Sequence, residues 1–359
     1  MLAHFAGDFL TARERFKRAA SKRGARLQSY PIDARGPSGE ALSIDAAYFG
    51  APNPTRALLV TSGIHGIEGF AGSALQQAFI HNLAPAADGR TGILLVHALN
   101  PYGFAHLRRV NEHNVDLNRN CLQSFPGPGN EAYRSFSDLL DPYSSRVHAD
   151  FFTVRLLLRA LRYGFAATQQ AIAGGQYTFA DGLFYGGDRR QPSIDIFERI
   201  LHDTPVAGAG LVIHIDVHTG LGSYGDYQLL PTEPLEAATL HQLRKWFGDR
   251  ATIGSTNPAS VNYSASGSVR ELSARVFASA RVYALTLEFG TFAPLRVLRA
   301  LRRENWLHHH GGDSVFSRKI KAELLQCFCP RATRWRNALL SQGLGVLEQA
   351  LRALSAPSA

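Results

Sequence analysis

Four short apolar runs, at 57–61, 93–99, 211–217 and 282–289, constrain the fold of this chain more than any other feature. Each is rich in Val, Ile and Leu and has the length of a strand, so each reads as a buried β-strand. Between and beyond them lie helical patterns, at 70–83, 151–163, 234–247 and 334–354. Strands separated by helix-length segments predict an α/β sheet covered by helices. At 359 residues the chain could hold one large domain or two smaller ones. No internal repeat or low-complexity linker divides it. Residues 1–23 carry charges throughout and read as an amphipathic helix without the apolar core of a signal peptide.

The first run leads into a glycine-rich turn that carries Ser62, Gly63, His65, Gly66, Glu68 and Gly69. An imidazole and a carboxylate three positions apart can converge on one point at the mouth of a sheet. That donor pair suits Zn²⁺, which would still need a third protein ligand and an open position for water. Alone, His-x-x-Glu is equally compatible with a polar turn capping a helix, so its context must carry the reading. The run 211–217 ends at His218, whose side chain would emerge at the C-terminal end of its strand, where open α/β sheets gather their sites. His218 is the candidate third ligand. Period-two alternation puts His214, Asp216 and His218 on one face, where Asp216 could orient a ligand imidazole and His214 reads as a satisfied core histidine.

After the run 93–99, Asn100, Pro101 and Gly103 mark a loop that carries Arg108, Arg109 and Arg119 among several Asn. A guanidinium binds a carboxylate through two parallel hydrogen bonds and never loses its charge, so this segment reads as an anion clamp. Glu288 interrupts the last apolar run. A lone carboxylate there must meet a partner or face a site, because an unpaired buried charge is too costly, and beside activated water it is a ready general base.

In chain order, His65 with Glu68, Asn100-Pro101-Tyr102-Gly103, Arg109 to Asn111, Val115 to Asn120, Asp216 with His218, and Leu287-Glu288 resemble the zinc carboxypeptidase superfamily. The resemblance covers about residues 45–120 and 210–295. It implies a mixed, mostly parallel twisted sheet flanked by helices, and because the proposed ligands span residues 65 to 288 a single domain over 1–359 is expected, with an inserted, partly helical segment at about 121–210 that departs from the digestive-type enzymes. It further implies one Zn²⁺ per chain on His65, Glu68 and His218, Arg109 steadying the oxyanion, Asn118 and Arg119 gripping a substrate carboxylate, and Glu288 as catalytic base. Tyr263 would be the tyrosine of the family's mobile loop, with Tyr224 and Tyr227 as alternatives. Laid without gaps on that loop, Arg270 falls at the base of the specificity pocket, where it would select an acidic side chain; with one residue deleted, Val269 falls there instead and an apolar preference follows. The segment 171–187 is not part of the carboxypeptidase pattern and looks like an uncharacterised bacterial branch of the superfamily. A cousin branch, the aspartoacylase and succinylglutamate desuccinylase group, shares the His-x-x-Glu, Asp-Leu-Asn-Arg and Asp-x-His elements. The expected reaction is therefore cleavage of an amide next to a free carboxylate, by a carboxypeptidase or alternatively by an N-acyl amino acid deacylase. A non-catalytic binding protein is a more distant alternative, for which Glu288 would have no use.

The formal net charge of +9 raises the question of nucleic acid or a membrane surface as partner. Only five of the 38 basic residues are Lys, and the Arg are scattered rather than striped. No helix-turn-helix, aromatic stacking motif or basic tail supports a nucleic-acid module, and no run approaches the ~18 apolar residues of a membrane span. Three cysteines, Cys121, Cys327 and Cys329, lack the spacing of a metal site and read as reduced thiols of a cytoplasmic protein. His308, His309 and His310 read as a loop or solvated helix end. The oligomeric state is open at this level.

Overall fold

The computed structural model describes residues 2–82, 89–142, 150–231, 236–250, 266–311 and 314–356. Among the described residues seven strands form one sheet: β1 Arg26–Arg35, β2 Ala41–Gly50, β3 Arg56–Ser62, β4 Thr91–His97, β5 Leu211–Gly220, β6 Tyr227–Pro231 and β7 Arg281–Gly290, in the spatial order β1-β2-β4-β3-β5-β7-β6. The four inner strands β4, β3, β5 and β7 are parallel, while β1, β2 and β6 are attached antiparallel at the edges. These inner strands are the four apolar runs. Their runs are continuous because both faces are covered: Leu58 and Val60 of β3 enter one core, and Ala57 and Leu59 enter the other.

Twelve α-helices accompany the sheet among the described residues: α1 Phe9–Lys22, α2 Gly69–Asn82, α3 Pro101–Ala105, α4 Glu131–Leu140, α5 Phe152–Tyr163, α6 Phe165–Ala173, α7 Pro192–Asp203, α8 Ala237–Phe247, α9 Val269–Val276, α10 Pro294–His310, α11 Val315–Phe328 and α12 Thr333–Ser355. Helices α1, α2 and α12 pack on the larger core, and α7 and α9 on the smaller. The result is a single α/β fold. Segment 121–210 carries α4 to α7. No described helix is long and apolar enough to cross a membrane.

The parallel arrangement decides where polar residues can gather. All four inner strands point their C-terminal ends the same way, so the segments after Ser62, His97 and His218, together with Glu288, meet at one edge. Strand β4 stops at His97 rather than running on to 99, because Ala98 turns into the left-handed region and Asn100 caps α3 with its Oδ1, which accepts the Gly103 N–H at 2.8 Å. His308, His309 and His310 form the last turn of α10, with His308 and His310 exposed.

Candidate metal centre and active site

Two strand ends and one turn bring together the side chains picked out by their motifs. His65 precedes a short 3-10 turn, Gly66–Glu68, which opens α2. The turn lies against the loop after α3: Gly66 N–H donates to the Arg109 carbonyl at 3.1 Å and Ile67 N–H to the Arg108 carbonyl at 2.8 Å. Glycine is required at 66, since a Cβ there would sit 2.1 Å from the Gly103 carbonyl carbon.

The Glu68 carboxylate lies between two imidazoles. Its Oε1 is 2.9 Å from His65 Nδ1, its Oε2 is 3.2 Å from His218 Nδ1, and Oε2 also accepts the Thr219 N–H at 3.0 Å. All three side chains are buried, and one ligand atom from each lies within 4.8 Å of the others. Among the described residues this is the one His, Cys, Asp or Glu group with that convergence. Both imidazoles turn the same nitrogen inward. Their outward Nε2 atoms meet carboxylates, His65 with Asp116 Oδ1 at 3.2 Å and His218 with Asp216 Oδ2 at 2.5 Å. When a metal displaces the Nδ1 proton of His218, Asp216 holds the ring's Nε2–H, which is the arrangement a metal ligand needs, whereas the Nε2 of His65 is approached by both Asp116 and the Arg109 guanidinium. The two Nδ1 nitrogens and a carboxylate oxygen fit Zn²⁺ with a position left open.

The electrostatics follow from this packing. Burial by itself would raise the Glu68 carboxyl, but the His65 and His218 imidazoles outweigh it and hold the group well below the usual carboxylate range. Burial likewise opposes ionisation of Asp116 and Asp216, and Arg109 with His65, and His218, respectively overcome it. His218 shows the converse: burial disfavours its charge, yet Asp216 and Glu68 push it well above the usual imidazole value. Glu288 lies opposite His218 in the β5–β7 register, with Oε1 accepting the Leu221 N–H at 3.0 Å. Burial, and then the negative charge of Glu68, push its carboxyl up to about 7.

Behind His218 runs a chain of hydrogen bonds that reaches α9. Asp216 Oδ1 accepts from the Thr61 hydroxyl at 2.6 Å, so Thr61 Oγ1 must accept from His214 Nε2, 2.9 Å away. The other nitrogen, Nδ1, is 2.7 Å from the Ser273 hydroxyl. Burial pushes His214 down to about 4, and the Ser273 hydroxyl beside it donates to the Arg270 carbonyl at 2.9 Å, which ties this end of the chain to α9.

The arginines of the loop separate. Arg109 faces the centre: its Nε donates to Asp116 Oδ2 at 3.1 Å, its Nη1 lies 3.5 Å from Glu68 Oε1, and its Nη2 lies 2.7 Å from His65 Nε2. The Phe184 ring packs against it, 5.4 Å from the guanidinium carbon. Arg108 leaves the expected clamp. It is fully buried on the other side of the loop, donating to Glu304 at 2.9 Å and to Asn114 at 2.9 Å, and Lys321 joins the same Glu304 oxygen at 2.6 Å. An arginine placed in the interior needs such a carboxylate, whereas its neighbour finds Asp116 at the site.

Asn118 accepts the Val269 N–H at 3.1 Å at the start of α9, and the Arg119 guanidinium is held by the carbonyls of Asn118 at 2.8 Å and Ala173 at 3.0 Å. The Tyr177 hydroxyl donates to the Arg119 carbonyl at 2.7 Å. Segment 171–187 thus lines both arginines, Ala173 and Tyr177 at Arg119 and Phe184 at Arg109. Arg270 is on α9, donating to the Leu230 carbonyl at 2.8 Å. Tyr224 is exposed beside Phe292, and Tyr227 lies on β6 under Arg250. Tyr263 lies outside the described residues.

Several contributors had no assigned role at the level of sequence. Asp116 sat inside a motif without a function of its own, although an Asp opening a short turn, here bonded to the Asn118 N–H at 3.0 Å, is a local signal. Thr61 offered only the hint of a hydroxyl in an apolar strand. Ser273 and Phe184 offered none.

The fold and the family can now be compared with those of known proteins. Thrombin activatable fibrinolysis inhibitor (TAFI) aligns with a TM-score of 0.51 and 10% identity, over 97% of this chain and 74% of that one, so the two share a fold. A metallo-carboxypeptidase from Burkholderia cenocepacia aligns at a TM-score of 0.42 and 12% identity, over 94% of this chain and 69% of that one. A metallo-carboxypeptidase from Pseudomonas aeruginosa, in complex with (2-guanidinoethylmercapto)succinic acid, aligns at 0.38 and 14%, over 92% and 69%. No curated protein matches the sequence significantly. The model of the family described as "Protein of unknown function (DUF2817)" matches residues 5–342, nearly the whole chain, and the chain belongs to that family.

Proposed function

We propose that this protein is a zinc-dependent hydrolase that cleaves an amide bond next to a free carboxylate, with Glu288 as general base. One observation carries the reading. The Nδ1 atoms of His65 and His218 converge on the Glu68 carboxylate while their Nε2 atoms are held by Asp116 and Asp216, and Glu288 stands on the adjacent strand.

Bound Zn²⁺ would supply Lewis acidity, both to activate water and to polarise the scissile carbonyl. The protein's own groups do the rest. Glu288 takes the proton from the attacking water and passes it to the leaving nitrogen. Arg109, steadied by Asp116 and Phe184, donates hydrogen bonds to the oxygen on which charge develops, in a buried site where such bonds are strongest. Asn118 and Arg119 bind the substrate carboxylate, and Arg270 selects an acidic side chain beside it.

If so, amidating the substrate carboxylate removes the anion that the clamp is built to bind, and kcat/KM should fall by at least about 10²-fold. Steady-state rates on matched free and amidated substrates decide it; equal rates would remove the carboxylate-directed reading. A second reading has its own support. Segment 171–187 walls in both Arg109 and Arg119, which favours a small N-acyl amino acid over a long peptide. A panel of C-terminally varied peptides and N-acyl amino acids separates the two.

The hydrogen-bond chain behind His218 gives another expectation. Thr61→Val keeps the shape but removes the donor to Asp216 and the acceptor for His214, so zinc affinity, measured by competition with a chelator, should fall by roughly 10–100-fold. Thr61→Ser should restore it. Unchanged affinity in Thr61→Val would show that the chain does not orient His218.

A further inference from the structure

Helix α5 has two apolar stripes, and only one of them is used. Phe152 and Ala160 are buried and Leu156 packs against the larger core. The other stripe, Val154, Leu157, Leu158 and Leu161, faces outward and is flanked by Phe151 before the helix and Phe165 after it, and these six side chains are 49% to 78% exposed. Seven of the thirteen exposed large hydrophobic side chains among the described residues fall between 151 and 165. A stripe that long has a function other than filling the core.

We propose that this stripe pairs with the same stripe of a second copy of this chain, as an antiparallel helix pair about a two-fold axis crossing the middle of α5. Three observations point to that occupant. On α5 itself Val154, Leu157, Leu158 and Leu161 recur at helical spacing, the narrow seam of helix-on-helix packing rather than a broad apolar face, and Phe151 at the left-handed N-cap and Phe165 beyond Gly164 flank it. The seam is symmetric about the middle of α5, Val154 with Leu161 and Leu157 with Leu158, and an aromatic ring flanks each end, so it opposes itself when reversed, as a two-fold interface requires. With aromatic side chains burying ~150–250 Å² each, the patch offers on the order of 700 Å², above the ~300–600 Å² of an ordinary monomer's largest patch and close to the ~800 Å² per partner of a stable interface.

Arg155 and Arg159 of α5 share one carboxylate, Asp138, at 3.3 and 2.7 Å, so the helix keeps positive charge and an anionic lipid surface is the competing occupant that vesicle sedimentation decides. Gly164 connects α5 to α6, whose last residue, Ala173, holds Arg119, so the paired helices would also brace one wall of the site.

Sedimentation equilibrium of the full chain at tens of micromolar tests this. The expected result is twice the chain mass for the wild type and for Leu295→Glu, a control at another exposed leucine, and the single chain mass for Leu158→Glu combined with Leu161→Glu, with unchanged circular dichroism. Leu158→Cys, oxidised mildly, should give a disulfide-linked dimer on a non-reducing gel, since the native cysteines are buried. That arm stands even if the double variant fails to fold. A monomeric wild type, a dimer that survives both glutamates, an absent cross-link, or a monomer that co-sediments with phosphatidylglycerol vesicles through α5 would each overturn the proposal.

Discussion

Glu288→Gln is expected to keep its zinc and lose kcat by a factor of about 10²–10⁴. Glutamine preserves the size of the side chain, and its Oε1 can still accept the Leu221 N–H that positions Glu288 at 3.0 Å. What it cannot do is take a proton. The pH profile should carry the same signature. Burial and Glu68 push Glu288 up to about 7 in the metal-free protein, and a cation beside Glu68 offsets that repulsion, so the value falls when the metal binds. A base works only when deprotonated. Activity is therefore full above the Glu288 pKa and lost as pH falls through it, tenfold per unit, and this acid limb lies below 7. Metal analysis alongside steady-state kinetics provides the check: an unchanged kcat, or metal lost together with activity, would sink the assignment of Glu288 as base.

His218→Ala should abolish stable zinc binding, with the dialysed protein retaining little or no metal by elemental analysis. His65→Ala should do the same. Full occupancy in both variants would rule out these ligands. The two differ in what they leave behind. Without His218, the fully buried Asp216 keeps only the Thr61 hydroxyl, and an uncompensated buried charge costs ~3–5 kcal/mol. Without His65, Asp116 still has Arg109 at 3.1 Å. The metal-free His218→Ala variant should therefore melt below metal-free His65→Ala, an ordering that chemical denaturation can test directly.

Much of this site was written locally. The four inner strands were readable because burial on both faces leaves continuous apolar runs, and the strands at 211–220 and 281–290 place His218 and Glu288 near their C-terminal ends. His65, Glu68 and His218 stood out through their donor chemistry and their position after a strand. Arg108 and Arg109 show where local reading stops. Both are arginines on one loop, yet one side chain goes to Glu304 in the interior and the other to Asp116 at the centre. Nothing in their neighbours distinguishes them, because the partners come from segments brought alongside only by folding.

The amino-acid sequence by itself therefore determined the strands, the helices and the kinds of donor available, since backbone periodicity and side-chain chemistry act over a few residues. Tertiary structure alone decided the strand order, which sets the ends of four strands at one edge, and the carboxylates behind each imidazole. It also decided the chain from Ser273 through His214 and Thr61 to Asp216, which joins three distant segments. Hydrogen bonds and ion pairs act over about 3 Å whatever the separation along the chain, so only the packed sheet could select those partners.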